Sequence, residues 1–301
     1  MACLIPKRIV NPHYKKIAPD THFTLYHETL GKYPKNDYFI TVGCGSCINC
    51  FKKYMSSWRF RLMHEFLSLD ERTLNNSYYV TLTIEPKFYT EKKPLLKKMV
   101  RRFLERVRSK YKKSIRHFLI TERGEDHGRY HFHGFFFDPP CPANEFYNLW
   151  YYGFVDIYPV IDKTHTLSQK ISYCTTYITK GKKGYLPLVL SPEEKPLVLV
   201  SPGLGRCYVD KFRGMHHQSN RLFSQAFDIN GSLRSLPRYL RQYIFTDEEL
   251  KTLKDDYLNN FSDDVIDDPP YFIGERVYND YDSYVKALIP IKEFYHKLYG
   301  K

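Results

Sequence analysis

The chain holds 301 residues, with 46 Lys plus Arg against 33 Asp plus Glu for a formal charge of +13, and is 43% hydrophobic with 27 Tyr and 21 Phe. This composition supplies a core for one large domain or two modest ones and excludes a disordered chain. No apolar run approaches the ~18 to 20 residues of a membrane span and the first residues lack a secretion-type apolar region, so a soluble protein of a cytoplasm, without a membrane partner, is expected.

Charge is unevenly placed. Residues 246–301 carry 13 acidic and 7 basic residues, a balance of −6, leaving +19 on residues 1–245. The basic part reads equally as a polyanion binder and as a soluble basic surface. In chain order, residues 1–43 look irregular and end at CGSCINC. Phe51, Tyr54, Met55, Trp58, Leu62 and Phe66 then recur at helical spacing and predict a helix to about residue 69. After the turn-like TLNNS, YYVTLTIEP predicts a strand stopped by Pro86. Residues 92–113 predict an amphipathic helix with an apolar stripe from Leu95 to Val107 and Lys98, Arg101, Arg102, Arg106 and Arg108 on its remaining positions. IRHFLITE and RYHFHGFFF read as a hairpin across the loop RGEDHG, PANEFYNLWYY as a short helix and GFVDIYPV as a strand. TLSQKISYCTTYITKGKKG predicts a helix ended by Gly181 and Gly184.

Strands joined by both a hairpin and helical crossovers imply an α+β domain, with a mostly antiparallel central sheet and helices on one face. The expected division is a Cys-rich element and helix over residues 1–75, the α+β domain over 76–185, and a Pro-rich connector with a helical and acidic region over 186–301.

Chemistry concentrates in two places. His131 and His133 alternate along a strand and so share a face, where both imidazoles can ligate one cation; the hairpin can bring the Glu122 carboxylate beside them. Such a donor set suits Mg²⁺ or Mn²⁺. On the later helix, Leu167, Ile171, Cys174 and Ile178 form the core stripe, while Tyr173, Tyr177 and Lys180 cluster roughly 120° away.

The HFH motif followed by Tyr-x3-Tyr-x2-Lys resembles the HUH endonucleases that start rolling-circle DNA replication. The two-tyrosine form is similar to the replication initiators of small single-stranded DNA phages. The MACLIP start, CGSCINC followed by WRFRLMHE, SPGLG and LPRYLRQ are similar to the gokushovirus branch of those microviruses, and the resemblance spans residues 1 to about 245. Thr176 departs from relatives that carry Lys between the tyrosines.

The resemblance implies a ferredoxin-like palm and a metal-dependent tyrosine endonuclease that nicks single-stranded or melted origin DNA. Tyr177 or Tyr173 would form a 5′-phosphotyrosine link and free a 3′-hydroxyl primer, and the displaced strand would later be rejoined. Lys180 would steady the phenolate or the phosphate. Phosphate contacts are expected first on the basic helix. No GxxxxGK[ST] loop is present, so unwinding and synthesis would fall to a helicase and DNA polymerase of a bacterial host. The alternatives are a single-strand transposase or relaxase of the same superfamily, and a non-catalytic basic single-stranded DNA-binding protein. Cys44, Cys47 and Cys50 have a spacing that suits zinc, with Cys3 the preferred fourth ligand and His64 behind it; an iron–sulfur cluster and metal-free thiols are the other readings. Cys141, Cys174 and Cys207 read as core or incidental residues.

Overall fold

The computed structural model describes residues 3, 7–10, 39–124, 128–179, 195–218, 221–227, 233–260, 271–273 and 276–278. The chain divides into two compact units, one of residues 1–53, 186–193 and 263–301, the other of residues 54–185 and 194–262. These bounds differ from the division at 75 and 185 for a physical reason. Trp58 and Phe66 pack on Phe118, Phe135 and Phe137 of the sheet, so most of the first helix belongs with the sheet.

In the first unit, β1 (Lys7–Val10) pairs antiparallel with β2 (Phe39–Val42), Lys7 facing Val42. An irregular segment was expected there. KRIV and FITV are β-rich runs of only four residues, separated by 28 residues, and neither signals a strand until its partner is known. Helix α1 (Ile48–Leu67) begins directly after Cys47.

In the second unit, α2 (Glu71–Asn75) occupies part of the expected turn, its first turn capped by Asp70 accepting from the Thr73 amide. There follow β3 (Tyr78–Thr83), α3 (Lys93–Tyr111), β4 (Arg116–Arg123), β5 (Tyr130–Phe137), α4 (Phe146–Trp150), β6 (Val155–Pro159), α5 (Leu167–Thr176) and β7 (Val198–Val200). They build a five-stranded antiparallel sheet in the order β6-β3-β5-β4-β7. The fold is α+β, with the expected sequence of elements from β3 through α5. Strand β7 comes from the Pro-rich stretch read as a connector: LVLV pairs its Val200 with Phe118 of β4.

Period-two alternation splits the sheet into two faces. Val80, Leu82, Leu119, Phe132 and Phe136 face α3, where Leu96, Val100, Phe103 and Val107 are buried with Trp150. Leu95, at the start of the expected stripe, is exposed. The opposite face carries Phe118, Phe135 and the two histidines, and it too is covered by helices, α1 and α5. The single helical layer expected from sequence is thus the α3 layer, with a second behind the site.

Beyond the sheet, α6 (Cys207–Phe212), α7 (Arg238–Ile244) and α8 (Asp247–Asn260) follow, and a smaller core joins Phe60 to Tyr208, Val209, Leu240 and Ile244. SPGLG docks on α1 through a buried carboxylate. Glu65 accepts from Arg116 at 2.5 and 2.9 Å and from the Gly205 amide at 2.6 Å, and Arg61 donates to the Leu204 carbonyl at 2.8 and 3.0 Å. Among the described residues no helix is long and apolar enough to cross a membrane.

Candidate active site

Strand register assembles the site. His133 faces Thr81 of β3, and His131 faces both Thr83 of β3 and Glu122 of β4. All lie on the face covered by α1 and α5. The Glu122 carboxylate reaches diagonally to His133, Oε2 to Nε2 2.8 Å, with both side chains nearly buried. On the other ring nitrogen, Nδ1 lies 3.1 Å from the Thr81 hydroxyl and 3.4 Å from that of Tyr79. A carboxylate only accepts, so the contact with Glu122 places the ring proton on Nε2 and leaves Nδ1 to accept from the Thr81 hydroxyl.

His131 stands one pleat away, ring centroids 6.4 Å apart, with Nδ1 3.4 Å from the Thr83 hydroxyl. Its Nε2 lies over Gly124, where an added Cβ would come within 2.8 Å. Burial, and then the neighbouring His133, hold His131 below the ordinary histidine range, which favours the neutral, ligating imidazole. Glu122 and His133 are therefore in contact, while His131 shares their face without touching them. Two imidazoles and a carboxylate are donor types that suit a divalent cation, but among the described residues these three are not drawn together as closely as the ligand atoms of Cys3, Cys44, Cys47 and Cys50 are.

The phenols come from α5. Thr166 caps that helix with a complete capping box through Gln169. The helix ends at Thr176, earlier than the Gly181 stop expected, because i to i+3 bonds from the Ile178 and Thr179 amides tighten its last turn. Arg59 of α1 fixes the helix by donating to the Thr175 hydroxyl at 2.9 Å and to the Ser172 carbonyl at 3.3 Å.

Tyr177, at the helix end, stacks on His133 with centroids 4.4 Å apart, and Tyr173 meets Tyr177 edge-on at 5.2 Å. The two are unequal: Tyr173 is 57% exposed and Tyr177 3%. A face free of the core was expected for both, but the sheet beneath Tyr177 buries it together with Ile171, Cys174 and Ile178. That burial, followed by its hydrogen bond with Tyr173, pushes the Tyr177 phenol above the ordinary tyrosine range. Lys180 lies outside the described residues.

The five basic residues of α3 do not line this cleft. The apolar side of α3 packs on the opposite face of the sheet, so the sheet stands between these side chains and the imidazoles. Arg106 is held by the Leu149 and Trp150 carbonyls at 2.8 and 2.9 Å, and Arg101 pairs with Glu105 at 3.1 Å. Lys98 and Arg102 line a groove with Lys87, Phe88 and Tyr151, and Arg108 is exposed. The sequence reading missed Tyr79, Thr81, Thr83 and Arg59. Alternation along YYVTLT puts the first three on one face, a signal available once β3 is paired with the histidine strand.

The four cysteines named from sequence gather in the first unit, with all Sγ atoms within 4.8 Å of one another. His64 packs instead against Phe60, Tyr208 and Phe212. Cys141 and Cys174 are buried.

No curated protein and no solved structure matches the chain. Residues 77–182, which hold the sheet strands β3 to β6, the imidazoles and both phenols, match the family model of the replication-associated protein ORF2, and that match supports a rolling-circle replication initiator.

Proposed function

We propose that this chain is a site-specific single-stranded DNA endonuclease and strand-transferase of the two-tyrosine microvirus type. The observation that carries the reading is a phenol stacked at 4.4 Å on an imidazole whose Nε2 meets a carboxylate at 2.8 Å. The phenol oxygen attacks the scissile phosphorus in line, the P–O3′ bond breaks, and a 5′-phosphotyrosine forms. The proton lost by the phenol is balanced by the one taken up by the departing 3′ oxygen. A divalent cation held by His131, His133 and Glu122 would polarise a non-bridging phosphate oxygen and offset charge in the transition state.

The chain's own residues account for the remaining requirements. Thr81 and Tyr79 fix the His133 ring from its Nδ1 side, and Arg59 fixes the helix that bears the phenols. The phosphotyrosine keeps the energy of the broken phosphodiester, so the freed 3′-hydroxyl can prime synthesis and a second phenol can cut the regenerated junction. Basic and aromatic residues supply phosphate contact and base stacking for a single strand, while unwinding and polymerisation fall to host enzymes in a bacterial cytoplasm.

The test uses purified protein, Mn²⁺ or Mg²⁺, and a pool of 3′-labelled single-stranded oligonucleotides. A denaturation-resistant labelled adduct is expected, absent with chelator and absent from the Tyr173→Phe, Tyr177→Phe double variant. An adduct that survives in the double variant, or none in the native protein while binding persists, overturns the nicking reading and leaves the basic DNA binder.

A further inference from the structure

From the cysteine cluster of the first unit we infer a mononuclear zinc site with Cys3, Cys44, Cys47 and Cys50 as its four thiolate ligands. The Cys3 and Cys47 sulfurs are 3.8 Å apart and those of Cys44 and Cys50 are 3.9 Å apart. A tetrahedron with Zn–S bonds of ~2.3 Å has edges of about 3.8 Å. A disulfide would need ~2.05 Å, and all four cysteines are free. Because every pair lies within 4.8 Å, there is room at the centre for one ion but not for the inorganic sulfides of a cluster.

The backbone is arranged for thiolates. The amides of Ser46 and Cys47 donate to Cys44 Sγ at 3.3 and 3.2 Å, and the Cys44 amide donates to Cys3 Sγ at 3.2 Å. Such donors favour charged sulfur and aim its remaining lone pairs inward. The turn that brings Cys44 and Cys47 together passes through Gly45 at φ +66°, open to glycine at little cost. Gly43 lets the chain pass close to Cys50, where an added Cβ would lie 3.1 Å from Sγ.

The site has a structural task. Cys3 precedes β1 and Cys44 follows β2, so the metal pins the Lys7–Val42 end of a two-stranded pair, an element that is marginal in water by itself. It also ties residue 3 to the start of α1, a link between chain positions more than forty residues apart that the strand pair alone would otherwise hold. Zinc suits this task because it is redox-inert and prefers four sulfurs. The inference is independent of the nicking reaction, since none of these cysteines lies on the sheet that carries the imidazoles and phenols.

Metal analysis of the full chain tests it. The native protein is expected to hold about one zinc per chain, released by a mercurial thiol reagent, and cobalt exchange should give the intense visible bands of a tetrahedral tetrathiolate site. Cys3→Ser and Cys44→Ser should weaken retention at least about tenfold, while Cys141→Ser retains the metal. Both tryptophans, Trp58 and Trp150, lie in the second unit, so their fluorescence reports separately whether the variants keep the sheet domain. Less than a tenth of an equivalent of zinc in native protein, iron in its place, or full cobalt intensity in the Cys3→Ser variant would each overturn the assignment.

Discussion

Gly134, next to His133 in the middle of β5, offers a substitution whose sign separates two physical effects. By propensity alone, alanine in a strand interior is more stable than glycine by about 0.5 to 1 kcal/mol. Here an added Cβ would sit 1.9 Å from the Phe118 carbonyl oxygen and 2.9 Å from Leu119 Cα of β4. Restoring even 3.0 Å means moving the strands apart by about 1.1 Å, which stretches a ladder bond of ~2.9 Å to ~4 Å, beyond any hydrogen bond. Two or more buried ladder bonds at about 1 to 3 kcal/mol each outweigh the propensity gain. Gly134→Ala is therefore expected to destabilise the second unit by about 3 kcal/mol, or ~1.5 M in urea midpoint at a slope near 2 kcal/mol/M. The fluorescence of Trp58 and Trp150, 4% and 0% exposed, follows the transition. Gly214→Ala, with nothing within 4 Å of the new Cβ, is the control and should be neutral or slightly stabilising. A Gly134→Ala protein as stable as native would refute the close-approach argument and with it the β4–β5 register that sets Leu119 opposite Gly134 and Glu122 opposite His131.

Other substitutions probe separate parts of the fold and site. Glu65→Leu removes the acceptor of Arg116 and the Gly205 amide; because the Arg116 side chain is 38% exposed and regains water, about 2 kcal/mol of urea stability should be lost rather than the ~3 to 5 of a fully buried pair. His64 is pushed down to about 4, by burial first and Lys211 second. Below about pH 6.5 the unfolded chain binds a proton that the folded protein refuses until about pH 4, so stability falls with pH through that window, by up to ~2 kcal/mol once solvent screening of the half-buried ring is allowed for. Chemical denaturation at pH 7 and 4.5 should show a smaller loss for His64→Phe, which keeps the ring contacts; an equal loss would contradict the burial argument. Thr81→Val leaves His133 Nδ1 with only the longer contact to Tyr79 and should slow adduct formation about 10- to 100-fold at low Mn²⁺, with partial recovery at high Mn²⁺ and an unchanged urea midpoint.

Local patterns made much of this legible. Alternation in HFHGFFF and YYVTLT, and the helical stripe of residues 92–113, each identify an element and its buried face from neighbours a few positions away. The gathering of Cys3 with Cys44, Cys47 and Cys50 was reachable from the arithmetic of a four-ligand site. The burial of Tyr177 was not, because it depends on which helix end rests on which strand. For the same reason the position of the basic α3 charges behind the sheet was hidden: a stripe says that a helix packs, but not on which face. The β1–β2 pair and β7 were missed because strands of three or four residues gain their identity from partners distant in sequence, and LVLV sits among prolines that also fit a connector.

The inequality of the two phenols bears on the order of the chemistry. In the proposed reaction a phosphodiester approaching from solvent would meet Tyr173 first, since it is more than half exposed, whereas Tyr177 is covered by Tyr173 and by His133 across its face. Burial also keeps the Tyr177 proton on, so Tyr177 is the poorer nucleophile until its surroundings change. If Tyr173 opens the reaction, esterification turns the oxygen that accepts from Tyr177 into a weaker acceptor, and a Tyr173 ring drawn toward the DNA would uncover the second phenol when the second cut is due. Single variants then differ in a defined way: Tyr173→Phe should slow the first adduct more than Tyr177→Phe, and Tyr177→Phe should form it but fail to release a joined circle. Equal first-cut rates in the two variants would mean that exposure does not set the order, and that the helix end carrying Tyr177 opens readily enough for either phenol to begin.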